Sequence, residues 1–214
     1  MKFALPSSDE ASDESLERWI RTMTHESQPE SQLESRSEPS LDPHALIASR
    51  IRTIPDFPSP GIVFRDITPL VGDWQALALC TRLLAEPFRA ESIDAVAGIE
   101  ARGFIFGALV AQAMSTGFVP LRKPGKLPSE TRSVRYALEY GESLLEAHVD
   151  AFRPGSRILL IDDVLATGGT AAAACELIEL IGGEVAACAF VTELEGLCGR
   201  KRLGERRIHA LTQL

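Results

Sequence analysis

One short run constrains the fold more than any other part of this 214-residue chain. Residues 158–170 read Ile-Leu-Leu-Ile-Asp-Asp-Val-Leu-Ala-Thr-Gly-Gly-Thr. Four apolar residues predict a buried strand, two acids stand at its carboxyl end, and an Ala-rich helix is expected to begin at about Thr170. The run therefore predicts the strand–loop–helix unit of an α/β protein, in which ligands bind where a parallel strand ends and a helix begins.

The residue types in this loop favour a sugar phosphate as the ligand. N–H groups at a helix start attract anions because they lack intrahelical partners and lie at the positive end of the helix dipole. Gly168 and Gly169 allow the backbone to approach a phosphate closely. Asp162 and Asp163 would repel a phosphate, but they can accept hydrogen bonds from the hydroxyls of a ribose or bind a metal.

Other interpretations of the run are weaker. A Walker loop carries a Lys directly before its final Ser or Thr, whereas here Gly169 precedes Thr170. An Asp-Asp pair is also typical of the Mg²⁺ site of response-regulator receivers, but those need acidic and Lys partners on other strands, which the sequence does not place. Acids without any role are disfavoured, because charges at the end of a buried strand are costly without a partner.

The net charge of the chain is concentrated near its start. Residues 1–42 hold ten acidic and four basic residues, which accounts for six of the eight net negative charges. The acidic balance therefore argues neither for nor against a phosphate ligand. Residues 1–41 are acidic and rich in Ser, and we expect a disordered extension. A partner-binding segment and an over-long reading frame, with Met23 as the later start, are the alternatives.

The remaining composition predicts a soluble cytoplasmic protein. No apolar run reaches transmembrane length, and the N-terminus lacks the layout of a signal peptide. No metal-binding spacing is present among the cysteines, which we expect to be reduced core thiols: Cys80, Cys175, Cys188 and Cys198. Three histidines are expected at the surface or in caps: His44, His148 and His209.

Residues 42–214 are expected to form one domain. The predicted strands are Ala95–Ile99, Phe118–Leu121, Arg157–Ile161 and Val185–Val191, with connecting helices over 103–115 and 170–181. This alternation predicts an α/β fold with an open, mostly parallel sheet flanked by helices and right-handed crossovers. A further helix is expected from Asp42, its N-cap, to about Arg52, and a short edge strand within Gly61–Asp66.

One connection differs from the others. Residues 122–156 join two strands without a long helical stripe, and they contain two short segments, Ser133–Glu139 and Ser143–Asp150. We expect a β-excursion or hairpin. Because connections of this length in a compact domain are usually functional, its basic and aromatic residues favour a lid.

Several separated segments resemble one family. The run 158–170 resembles the phosphoribosyl-pyrophosphate (PRPP) signature of the type I phosphoribosyltransferases. Asp-Phe-Pro-Ser-Pro-Gly-Ile-Val-Phe-Arg-Asp at 56–66 is similar to the base-binding segment of the adenine phosphoribosyltransferases within that family. Ala101–Phe104 resembles their pyrophosphate loop, and 122–128 and 138–141 resemble their basic loop and mobile lid. The match covers roughly residues 42–203, which identifies 42–214 as the phosphoribosyltransferase domain, with a small hood segment and the β-excursion lid.

The resemblance implies a glycosyltransferase of purine salvage that transfers 5-phosphoribosyl from PRPP to adenine, giving AMP and pyrophosphate. It also implies a homodimer, with Mg²⁺ held by PRPP rather than by protein ligands. The first alternative is a phosphoribosyltransferase for another base, such as xanthine, hypoxanthine or orotate. The distant alternative is a PRPP-sensing regulator that binds DNA. The acidic residues 1–42 disfavour it, so no nucleic-acid partner is expected.

The resemblance also assigns roles to individual residues. Those expected to bind PRPP are Arg102, Arg122, Lys123, Lys126, Tyr140, Asp162, Asp163, Ala166, Thr167, Gly168, Gly169 and Thr170. Those expected to bind adenine are Val63, Phe64, Arg65 and Val164, with Phe64 stacking on the base. Those expected to act in catalysis are Glu139, Asp162, Asp163 and Arg102. Glu139 is the candidate for proton exchange with the purine, and the two aspartates support a sugar that develops positive charge.

Overall fold

The computed structural model describes residues 42–138 and 141–214. In chain order its helices are α1 (Pro43–Ser49), α2 (Thr68–Gly72), α3 (Trp74–Ala85), α4 (Gly103–Ala113), α5 (Gly169–Leu180) and α6 (Gly199–Leu203). Its strands are β1 (Arg52–Ile54), β2 (Phe64–Asp66), β3 (Ala95–Ile99), β4 (Gly117–Leu121), β5 (Thr131–Leu138), β6 (Gly141–His148), β7 (Arg157–Leu165), β8 (Glu184–Glu193) and β9 (Ile208–Gln213). The predicted extension at 1–41 lies outside the described residues, and so do Glu139 and Tyr140.

A five-stranded parallel sheet forms the centre of the domain, in the order β4-β3-β7-β8-β9. The predicted open parallel sheet is therefore confirmed. Strand order reverses between β3 and β7, because the chain moves outward to β4 on one side and to β8 and β9 on the other. That reversal is a topological switch point, where α/β folds bind their ligands beyond the carboxyl ends of the strands.

Both faces of the sheet are buried, which explains the apolar runs in β3 and β7. Side chains alternate between faces along a strand. Leu159 and Ile161 accordingly pack into the core beside α3 and α4, whereas Ile158 and Leu160 pack into the core beside α5 and the β5–β6 hairpin. Fully buried Phe106 and Leu84 fill the first core, and Phe190 fills the second.

Strand β7 runs further than predicted. It continues through Asp162 and Asp163 to Leu165, because β8 pairs with it along this whole length, including Asp162 with Phe190. The two acids therefore lie within the last part of the strand. Strand β9 had no counterpart among the sequence predictions, and it adds a fifth strand beside β8.

The hood segment is a small hairpin. The predicted N-cap is confirmed, since Asp42 accepts a hydrogen bond from the His44 N–H at 3.2 Å. The helix ends at Ser49, short of Arg52, because residues 52–54 pair antiparallel with β2. The strand expected within Gly61–Asp66 thus belongs to a separate two-stranded sheet.

The long connection contains the expected hairpin. Strands β5 and β6 pair antiparallel from Thr131 with His148 to Leu138 with Gly141. A backbone bridge between Arg122 and Glu146 ties the hairpin to the segment after β4. In the part of the chain that the structure describes, no helix combines the length and the apolarity needed to cross a membrane.

The cysteine and histidine predictions hold only in part. Cys80, Cys175 and Cys188 are buried thiols, but Cys198 is exposed, at the start of α6. His209 is half-buried beside Leu83, whose carbonyl lies 3.2 Å from its Nε2, and burial lowers the pKa of this imidazole. His209 is therefore a packed residue rather than a surface one.

Candidate active site

A cavity of about 500 Å³ lies at the switch point between β3 and β7. Three parts of the chain enclose it: the loop after β3, the end of β7 with the loop that follows, and the β5–β6 hairpin. Its lining includes ten of the predicted residues: Arg102, Lys123, Asp162, Asp163, Val164, Ala166, Thr167, Gly168, Gly169 and Thr170. The sheet topology thus brings together residues that are up to 68 positions apart in the sequence.

Residues 166–170, named the phosphate loop after their predicted ligand, form one end of the cavity. Gly168 is the N-cap of α5 and has a φ of 78°, a left-handed conformation that favours glycine. No side chain caps this helix start. The first N–H groups of α5 have no intrahelical partners and lie at the positive end of its dipole, so this end of the cavity suits an anion.

The acid pair occupies the floor of the cavity. Asp163 is 2% exposed, and the Nε of Arg102 lies 2.5 Å from its Oδ2. The orientation of this contact is that of an ion pair and not of a hydrogen bond, and within the described residues Oδ2 accepts no hydrogen bond. Asp162 Oδ1 accepts the N–H of Asp163 at 2.9 Å. Burial, and then the neighbouring Asp163 charge, raises the pKa of Asp162 well above its ordinary value.

Arg102 links the acid pair to the hood. Its guanidinium carbon lies 5.4 Å from the ring centroid of Phe64, while its Nε contacts Asp163. Phe64 in turn meets the ring of Phe57 edge to face, at 5.2 Å between centroids. The Arg102 guanidinium therefore contacts both an aromatic ring and a buried carboxylate, while 44% of the Arg102 side chain is exposed to solvent.

Of the four predicted adenine residues, Val164 alone lines the cavity, and the other three lie on the hood. Val63 is exposed, and Arg65 donates from its guanidinium to the Thr53 hydroxyl across the β1–β2 hairpin. Neither of them lines the cavity, and Phe64 approaches it through Arg102. Val164, at the end of β7, lines the cavity directly.

Glu100 organises the basic loop, a role the sequence did not reveal. Its carboxylate accepts the Lys123 N–H at 2.9 Å and the Arg122 Nε at 3.3 Å. Burial alone would raise the pKa of Glu100, but these hydrogen bonds and the charges of Arg122 and Lys126 lower it below the ordinary value. The carboxylate therefore stays ionised beside the loop.

The three predicted cations of the basic loop occupy different places. Lys123 lines the cavity. The guanidinium of Arg122 lies 5.9 Å from the ring centroid of Phe104 and donates to the Lys126 carbonyl at 3.1 Å, so it connects the loop to α4. Neither Arg122 nor Lys126 contributes to the lining of the cavity.

Tyr136 and Ser143 also line the cavity, although the sequence did not single them out. They face each other across the β5–β6 hairpin. Val134 and Leu145 are buried two residues away on the same face, so the period-two pattern that fills the core continues into the cavity. The alternation of side chains along β5 and β6 is the sequence signal that could have placed Tyr136 and Ser143 at the cavity.

A family model describes this architecture. The model of the phosphoribosyl transferase domain matches residues 71–206. A curated protein of Nitrosococcus oceani, named adenine phosphoribosyltransferase, is 59% identical over 165 residues, which are 77% of this chain and 96% of that protein. The chain belongs to the adenine phosphoribosyltransferase family.

Solved structures of the family share the fold. The adenine phosphoribosyltransferase of Rhodothermus marinus is 51% identical, with a TM-score of 0.77 over 80% of this chain and 98% of that one. The Saccharomyces cerevisiae enzyme was solved with D-2,5-dideoxy-2,5-imino-altritol 1,6-bisphosphate and adenine. It is 38% identical, with a TM-score of 0.75 over 79% of this chain and 98% of that one.

Proposed function

We propose that this protein transfers the 5-phosphoribosyl group of PRPP to N9 of adenine, giving AMP and pyrophosphate. The observation that carries the proposal is a single cavity that joins the phosphate loop, the Asp162–Asp163 pair, Arg102 and Lys123. The phosphate loop would suit the 5-phosphate of PRPP, and the two aspartates would suit its ribose hydroxyls. The two cations would suit its pyrophosphate.

The phosphate loop would hold the 5-phosphate through its N–H groups and the hydroxyls of Thr167 and Thr170. Asp162 and Asp163 would then accept hydrogen bonds from the ribose hydroxyls. Loss of pyrophosphate leaves positive charge on the sugar, and carboxylates already fixed beneath it would stabilise that charge without having to reorganise. Because Asp162 is desolvated in the free protein, a cationic sugar would favour its ionised form.

Arg102 and Lys123 would neutralise the departing pyrophosphate. Arg102 is bound to Asp163 in the free protein, and its half-exposed side chain lies at the edge of the cavity. We expect PRPP to compete for this guanidinium, which would release Asp163 to the ribose. Arg122 and Lys126 would contribute charge to the same edge, with Arg122 acting through the loop that it supports.

Adenine would enter between the hood and the end of β7. Phe64 would stack on one face of the base and Val164 would contact the other, while the Val63 backbone meets the Watson–Crick edge and Arg65 anchors the ring. A backbone acceptor facing the six-position would favour the amino group of adenine and reject hypoxanthine.

Glu139 and Tyr140, which follow β5 in the sequence, would complete the site. We assign Glu139 to proton exchange with the imidazole nitrogens of the purine, and Tyr140 to closing over PRPP. Closure would exclude water and so limit hydrolysis of PRPP.

Mg²⁺ would enter with PRPP as part of the substrate. Within the described residues, no group of three or more His, Cys, Asp and Glu side chains is placed to hold a metal. The Asp163 oxygen that lacks a hydrogen bond is nevertheless a suitable neighbour for ribose hydroxyls that carry a cation. We also propose a homodimer, as the family resemblance implies, and a subunit interface would cover exposed apolar side chains such as Trp74 and Ile105, which are 76% and 36% exposed. We propose the cytoplasm as the location, because the buried cysteines are free thiols, as they are in a reducing compartment.

The experiment is a product assay with the purified full-length chain. Adenine and Mg²⁺–PRPP should yield AMP and pyrophosphate in equal amounts, measured by ion-exchange chromatography and a coupled pyrophosphate assay. Failure to form AMP with protein that is folded by circular dichroism would overturn the proposal. Light scattering after size exclusion tests the dimer separately.

A further inference from the structure

The phosphate loop has a support on the side away from the cavity. Gly199, the first residue of α6, lies so close to the loop that a Cβ atom added there would overlap the Ala166 carbonyl oxygen. A Cβ added at Gly168 would in turn overlap the Gly199 carbonyl oxygen. The two backbones are therefore in close contact at two points, Gly199 against the Ala166 carbonyl and Gly168 against the Gly199 carbonyl, and a glycine is needed at each point.

This contact bears on the direction of the loop's donors. In a planar peptide unit, the C=O and the following N–H point to opposite sides. The Ala166 carbonyl is turned toward Gly199, so the N–H of Thr167 is directed away from it. Thr167 lines the cavity. A shift of the Ala166 peptide would therefore rotate a donor away from the anion-binding end.

The α6 segment is itself fixed at several points. Glu193, with 7% of its side chain exposed, accepts a bifurcated hydrogen bond from the single Arg200 Nε–H, whose nitrogen lies 2.7 and 2.9 Å from the two carboxylate oxygens. Arg200 also donates to the Ile208 carbonyl on β9 at 3.4 Å. Leu203 is fully buried in the same core as α5. The backbone of Leu194 donates to Leu165, the residue before the loop, at 2.9 Å.

We propose that Gly199 and Arg200 are positioning residues for the 5-phosphate of PRPP. Gly199 sets the orientation of the Ala166 peptide by close contact, and the Arg200–Glu193 pair holds Gly199 in place. Neither residue lines the cavity, so both act through the loop backbone. The inference rests on the proposed function, because it takes the loop to be the phosphate site.

The test uses Gly199→Ala in the full-length chain, with Gly196→Ala as the matched control. Gly196 is exposed three residues before Gly199, and an added Cβ there has no atom within 4 Å. For Gly199→Ala, the KM for PRPP and the Kd of ribose 5-phosphate should each rise at least about tenfold. The KM for adenine and the Kd of pyrophosphate should stay within about twofold, because neither ligand meets the loop. Gly196→Ala should match the unmodified chain.

Arg200→Ala keeps the inference testable if Gly199→Ala does not fold. It should raise the KM for PRPP in the same selective way, and Arg200→Lys should recover part of the affinity because it keeps a cation beside Glu193. Unchanged ribose 5-phosphate binding in folded Gly199→Ala and Arg200→Ala would overturn the inference. So would an equal loss of affinity for ribose 5-phosphate, pyrophosphate and adenine.

The unmodified chain separates this failure from failure of the proposed function. If it forms AMP and binds ribose 5-phosphate while the variants behave like it, only the positioning role is wrong. If it neither forms AMP nor binds ribose 5-phosphate, both the proposed function and the inference fall.

Discussion

Replacement of Phe64 by Leu should weaken adenine binding selectively. Stacking of a base on an aromatic ring contributes about 1–3 kcal/mol. Since each 1.4 kcal/mol is about a tenfold change in affinity, the KM for adenine should rise about 5- to 150-fold. The stacking is present in both the bound ground state and the transition state, so kcat should change little.

The structure also sets the expected cost in stability. The Phe64→Leu variant would lose the edge-to-face contact with Phe57, at 5.2 Å, and the contact with the Arg102 guanidinium, at 5.4 Å. Together these contribute about 1–2 kcal/mol at a partly exposed site. Thermal unfolding should therefore show a small shift, too small to remove folded enzyme at the assay temperature.

Initial rates of AMP formation, with adenine varied at saturating PRPP, measure the first effect. Phe152→Leu is the matched control, because Phe152 is also a half-buried phenylalanine but packs against the α5 core, away from the hood. It should lower the melting temperature without changing the KM for adenine. A Phe64→Leu enzyme whose KM for adenine equals that of the control would refute the stacking role.

Three other predictions concern the floor and the wall of the cavity. Asp163→Asn should lower kcat about 10²- to 10³-fold, because a fixed charge that stabilises the transition state is lost, while the melting temperature falls by only a few degrees. Asp150→Asn, at an exposed acid, is the control. Unfolding of the Asp163 variant would show that the acid is structural. Asp162 binds its proton more tightly in the folded state, so the free energy of unfolding should fall as pH rises from the ordinary value of 3.8 through the raised pKa. Chemical denaturation across that range measures this fall, and Asp162→Asn should reduce it. Tyr136→Phe should raise the KM for PRPP severalfold with unchanged adenine KM, because it removes only the hydroxyl of a side chain that lines the cavity. Kinetics equal to those of the unmodified chain would place that hydroxyl outside the substrate contacts.

Local patterns predicted the elements that carry the chemistry. The apolar run before Asp162, the acids and the two glycines are contiguous, so the strand, the turn and the helix start could be read together. The left-handed φ of Gly168 agrees with the expectation that the backbone there needs a glycine. The parallel sheet followed from the alternation of apolar strands and helices.

Contacts between distant segments were not predictable in the same way. Strand β9 is only partly buried along its length, and it forms because β8 offers it a parallel edge. The hood hairpin depends on Arg52–Ile54 pairing with Phe64–Asp66 across the intervening loop, which outweighs the continuation of α1. The role of Glu100 was not predictable, because it depends on the fold bringing its carboxylate within hydrogen-bond distance of the Lys123 N–H.

The central claim is that adenine is the base that receives the phosphoribosyl group. One reaction tests it directly: the full-length chain with limiting Mg²⁺–PRPP and an equimolar mixture of adenine, hypoxanthine, guanine, xanthine and orotate, with the nucleotides identified by mass spectrometry. AMP should be the dominant product, with pyrophosphate equal to the PRPP consumed. A dominant nucleotide of another base, or hydrolysis of PRPP without any nucleotide, would contradict it.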